Sequence, residues 1–118
     1  MTTNEIATKL VSLCREGKIT EVLETLFANN AKSVEMDSSM GNKETIGLEA
    51  IKNKSKMFAA EIEEFYGQTI SDPIVIGNTF AVTWFMDRKL KGQERSKLQE
   101  VCAYKVEDGK IILEQFIY

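Results

Sequence analysis

Apolar and polar residues alternate most regularly in the last third of the chain. Between Phe80 and Asp87, the residues Phe80, Val82, Trp84 and Met86 fall on one side, and Ala81, Thr83, Phe85 and Asp87 on the other. From Ser96 to Val106 the same period groups Leu98, Glu100, Cys102, Tyr104 and Val106 against Lys97, Gln99, Val101, Ala103 and Lys105. Asp108-Gly109 supplies the positive φ angles of a tight hairpin, so the segment from Lys110 must fold back along its neighbour. That segment, IILEQFIY, is apolar on both sides and is expected to be covered on both. Three long antiparallel strands are therefore predicted here.

Helical spacing governs the front of the chain. Thr2 and Glu5 match a capping box, and Ile6, Ala7, Leu10, Leu13 and Cys14 then form one apolar stripe up to Gly17. A second helix through Val22, Leu23, Leu26 and Phe27 is predicted to stop near Asn29-Asn30. AKSVEM, residues 31–36, reads as a first strand, and DSSMGNKET as a polar loop. Leu48, Ile51, Ser55, Phe58 and Ile62 keep to one face of a third helix, with Glu49 near the positive end of its dipole. EEFYGQTIS reads as another strand closed by Ser71-Asp72-Pro73, and Ile74-Val75-Ile76 leads to a turn at Gly77-Asn78.

Helices at the front and hairpin-connected strands at the back predict an α+β fold, with helices packed on the concave face of a curved, cone-shaped antiparallel sheet. The wide end of such a cone leaves a pocket. If Tyr104 faces inward, Glu100 and Cys102 do too, and Glu114 shares a face with Ile112, Phe116 and Tyr118. With Phe58, Trp84 and Met86 these residues line the expected hollow, where shielded carboxylates would have raised pKa values suited to acid–base work or to a cationic ligand. Salt bridges or exposure at strand ends are the structural alternative for the acids, and plain core the alternative for the aromatics. The outer face, with Ala81, Thr83, Phe85, Val101, Ala103, Ile111, Leu113 and Ile117, is apolar and uncovered by the helices, which predicts a homodimer packed sheet to sheet.

With 118 residues, 43% of them hydrophobic, the chain is long enough for one core and is expected to form one domain over residues 1–118. A net charge of -3 with interspersed signs argues against nucleic acid as a partner, and no run approaches the roughly 20 apolar residues of a membrane span. The basic cluster Arg88, Lys89, Lys91, Arg95 and Lys97 reads as a solvated hairpin rim. Cys14 and Cys102 lie in apolar patterns and read as free thiols of a cytoplasmic protein, Cys102 as a small buried hydrophobe. There is no histidine, hence neither the commonest metal ligand nor the commonest neutral-pH base. No metal or cofactor is expected.

The order and spacing of LFANNAKSVEM, GLEAI, FAVTWFMD and YKVEDGKIILEQF resemble the nuclear transport factor 2-like superfamily, and within it the SnoaL-like proteins. The resemblance implies a cystatin-like fold and a small, largely apolar organic molecule as partner; it fixes no activity. Aligned with ketosteroid isomerases, Glu35 falls where the catalytic base stands, making it the best catalytic candidate. Leu10 and Cys102 fall at the positions of the oxyanion-holding tyrosine and aspartate, so that hole is absent. SnoaL-type cyclases use a histidine and an aspartate, and this chain has no histidine. The implied reading is a small-molecule-binding protein with Glu35, Glu100 and Glu114 as polar anchors. An isomerase, cyclase or dehydratase using one of these glutamates is the alternative, and a dimerising module without ligand is the third.

Overall fold

A computed structural model describes residues 1–36 and 43–118. Helix α1 (Thr3–Arg15) begins at the predicted capping box: the Thr2 hydroxyl accepts from the Glu5 amide at 3.1 Å, and Glu5 accepts from the Thr2 amide at 2.8 Å. Helix α2 (Ile19–Leu26) follows, and the two bury Ile6, Leu10, Leu13, Val22, Leu23 and Leu26 against the sheet. The chain passes from α2 into β1 (Phe27–Val34) without the expected stop at Asn29-Asn30. Both asparagines are exposed, at a shift in register between Phe27 and Lys32, where their weak strand preference costs little.

A short strand β2 (Glu44–Ile46) lies within the segment read as loop and pairs antiparallel with β1; residues 37–42 of that predicted loop lie outside the described residues. Helix α3 (Leu48–Glu61) ends one residue earlier than its apolar stripe predicts, because Ile62 already begins β3 (Ile62–Ile70). β4 (Ile74–Ile76), β5 (Thr79–Leu90), β6 (Arg95–Glu107) and β7 (Lys110–Ile117) complete the sheet. The β6–β7 turn forms at Asp108 (φ 51°) and Gly109 (φ 74°), as that dipeptide predicts.

The sheet order is β2-β1-β7-β6-β5-β3, with β4 beside β5. The last three strands are antiparallel as expected; β1 joins β7 in parallel, so the sheet is mixed. A further departure from simple alternation lies in β7. A register shift after Lys105 places Ile111 opposite Val106, and Ile111 is fully buried instead of lying on the outer face. Ile112 is thereby out of phase with Glu114 and Phe116.

Two side chains, Arg15 and Gln68, tie α1 to the sheet, and a further bond extends the link within it. The Arg15 guanidinium donates to the Ile70 carbonyl at 2.8 and 3.1 Å, Gln68 Nε2 donates to the Cys14 carbonyl at 2.9 Å, and Trp84 Nε1 donates to Gln68 Oε1 at 3.1 Å. Gln68 thus fixes the indole of Trp84 by using both ends of its amide. Among the described residues no helix is long and apolar enough to cross a membrane.

Candidate functional site

The inward face of the sheet gathers the acids that the sequence singled out. In β1 the inward set is Ala31 and Ser33, both fully buried, with Glu35 just past the strand. Alternation based on the larger apolar residues suggests the opposite face, but Val34 is only half-buried and Met36 is exposed. Small side chains are chosen here because α3 packs closely over β1. From α3, Lys54 reaches down and donates to Ser33 Oγ at 2.9 Å and to Glu35 Oε1 at 3.0 Å. Ser33 in turn donates to Glu114 Oε1 at 3.0 Å. A chain of hydrogen bonds therefore runs from Glu35 through Lys54 and Ser33 to Glu114.

Glu100 lies on β6, two residues from Cys102, whose thiol donates to Glu100 Oε1 at 3.6 Å. Cys102 is opposite Phe116 in register, and Tyr104 is opposite Glu114. Tyr104 is packed between Phe80, stacked at 4.8 Å, and the edge of Phe27 at 6.5 Å. Phe58 meets Trp84 at 6.4 Å, and the Lys54 ammonium lies 5.3 Å from the Phe116 ring centre. Met86 is buried on the same face of β5.

Burial dominates the electrostatics. It pushes Glu114, 9% exposed, up to about 7, with the Glu35 charge adding to the rise; the Ser33 hydrogen bond, Lys54 and Tyr104 oppose it. Burial also lifts Glu100 to about 7, aided by Glu35 and Glu114 and opposed by Cys102 and Lys54. Both carboxyls are thus poised to exchange a proton near neutral pH. The thiols move the other way from reactivity: burial pushes Cys14 up to about 12 and Cys102 higher still. Burial likewise raises the Tyr104 phenol well above its ordinary value.

Glu35, Glu100, Cys102, Tyr104, Glu114, Phe116, Phe58, Trp84 and Met86 therefore share one side of the sheet or the helix above it. Tyr118 does not join them: it lies beyond β7 and is 54% exposed. Two partners were missed, Ser33 and Lys54. A signal for Lys54 existed, since it stands three residues after Ile51 and four before Phe58, on the same helical stripe. Ser33 shares strand parity with Glu35. Arg88 is a third omission: the rim reading holds for its exposed neighbours Lys91, Arg95 and Lys97, but Arg88 itself is buried.

A groove of about 320 Å³ lies elsewhere, on the convex face, where Ile74, Ile76, Ala81, Ala103, Leu113 and Gln115 contribute to its walls. Ile74 and Ile76 are 72% and 74% exposed, and Val101 and Ile117 continue the apolar surface. Among the described residues no cluster of three or more acids and thiols is arranged to hold a metal ion.

No curated protein matches the chain. Among solved structures, a Mesorhizobium loti protein provisionally named a SnoaL-like polyketide cyclase superposes with a TM-score of 0.92 at 32% identity, with 100% of each chain covered. A Xanthomonas campestris protein of unknown function with a cystatin-like fold follows at 0.80 and 19% identity, over 99% of this chain and 90% of that one. TerC, co-crystallised with polyporic acid, matches at 0.75 and 17% identity, over 99% and 92%. The family model described as SnoaL-like domain spans residues 1–118. Sequence and fold thus place the chain in the SnoaL-like domain family.

Proposed function

We propose that the concave face of the sheet binds a small, largely apolar organic molecule, with Glu35, Glu100 and Glu114 as its polar anchors. The observation that carries this reading is the pairing of two carboxyls held near pH 7 with the aromatic surface of Phe58, Trp84, Tyr104 and Phe116. Such a surface grips an apolar body while a few polar groups fix its orientation. The polyporic acid complex of TerC supports the reading by likeness of fold. A fragment screen followed by amide-shift mapping tests it. Hits are expected to move Glu100, Cys102 and Glu114; hits confined to the convex groove would sink the proposal.

A second reading has a specific observation in its favour. Glu100 is only partly buried, and its carboxyl near 7 can take or give a proton at a carbon beside a carbonyl, as in an isomerase, cyclase or dehydratase. Glu35, the position implied by likeness to isomerases, is instead bound to Lys54 and serves that chemistry by setting the charge around Glu100. The same fold serves as a homodimer packed through its convex face, where the apolar residues Ile74, Ile76, Val101 and Ile117 are exposed. Sedimentation at micromolar concentration is expected to show a dimer, and a purely monomeric profile refutes it. Two free, unreactive thiols suit a reducing compartment such as the cytoplasm.

A further inference from the structure

Arg88 is the member of the basic hairpin cluster that the fold removes from water. It shares the inward face of β5 with Val82, Trp84 and Met86 and is 9% exposed. Its Nη1 donates to Ser96 Oγ at 2.6 Å, while its Nε is buried without a hydrogen-bond partner. The neighbouring acids are engaged elsewhere: Asp87 is bound by Arg95 through two bonds of 3.0 and 2.7 Å on the other face, and Glu63 pairs with Lys89. Among the described residues no carboxylate forms an ion pair with Arg88. A guanidinium cannot shed its charge, so burying it without a counter-ion is unfavourable unless an anion arrives from outside.

Strand register says where that anion would sit. Arg88 is opposite Ser96, Met86 opposite Leu98, and Trp84 opposite Glu100. Four residues of strand separate Arg88 from the Trp84–Glu100 row, about 13 Å. The inward row between them, Met86 and Leu98, is apolar.

The geometry points to Arg88 as the anchor for the carboxylate of an elongated, otherwise apolar ligand whose body lies over the half-buried Leu98 and Trp84 and whose far end meets Glu100 and Glu114. This assignment rests on the concave face being the binding surface and deepens that reading by giving the ligand a charge and a direction. The reverse orientation sets an anion beside two acids, so binding has one polarity. Arginine suits the role because its planar fork matches a carboxylate with two parallel bonds.

Octanoate and its neutral amide, octanamide, are the probes, titrated against the emission of Trp84, the only tryptophan in the chain. Both are expected to perturb Trp84, with octanoate binding about tenfold tighter at low salt. Arg88→Gln, its fold checked by circular dichroism, is expected to bring the two ligands within about twofold by weakening octanoate alone, and Arg88→Lys to keep part of the preference. Equal affinity in the unmodified protein, or a preference that survives Arg88→Gln, overturns the role of Arg88 while leaving the concave surface as the binding site. Silence of Trp84 toward both ligands overturns the two together. The comparison in the unmodified protein decides the matter even where a variant does not fold.

Discussion

Replacing Lys54 with methionine should destabilise the fold by about 2–3 kcal/mol at pH 8 and by much less at pH 5. Lys54 is the cation that acts on both Glu100 and Glu114, and it also bonds Glu35 directly. Without it, three carboxylates face one another across apolar surface. Breaking a buried pair in this way commonly costs more, about 3–5 kcal/mol, but a third of the Lys54 side chain still meets water, which screens the charge. At pH 5 Glu100 and Glu114 carry protons in the folded protein, so neither then needs Lys54 to offset its charge. Urea denaturation at the two pH values measures the difference. An equal loss at both would mean that Lys54 acts through its bond to Ser33 and its contact with Phe116, not by offsetting the two acids.

The second expectation has the opposite sign. Glu114→Gln should stabilise the protein at pH 8 by about 3 kcal/mol. The carboxyl has its pKa raised from 4.5 to about 7 by folding. Between those values the folded chain holds a proton that the unfolded chain has released. Stability from this group is therefore fully present below about pH 4.5, declines as pH rises through about 7, and is flat above. Glutamine is neutral throughout and retains an oxygen to accept from Ser33, so the variant should lack this decline. Glu100 contributes a decline of the same sign, weaker because it is partly exposed. Melting temperatures of both proteins from pH 5 to 8 provide the check: parallel curves would show that Glu114 is already charged and satisfied at pH 5.

These expectations could not have been framed from the sequence, although most of the framework could. The strict two-residue period of β5 and β6 and the Asp108-Gly109 turn placed Glu100, Cys102 and Tyr104 on one face, as found. Legibility failed where local preference was overruled by distant pairing. Asn29 and Asn30 read as a helix stop, yet pairing with β7 on either side of them, at Phe27 and from Lys32 on, carries them within a strand. The inward phase of β1 was obscured because its buried residues, Ala31 and Ser33, are small, and the larger Val34 and Met36 mislead a reading by hydrophobicity. Ile111 was misassigned because an inserted bulge leaves no mark in composition. Lys54 and Arg88 share a different cause: a long cationic side chain reads as a solvent group, and only tertiary contacts reveal when its end is drawn inward.

The parallel contact between β1 and β7 also governs when this protein can take shape. Ser33 and Glu114 are 81 positions apart, and β7 follows every other element in the chain. During synthesis the three helices and six strands of the described residues emerge from the ribosome before the central strand that must slot between β1 and β6. Until then two backbone edges stand open, inviting mispairing with other nascent chains. Closure of so long a loop is expected to make this insertion slow.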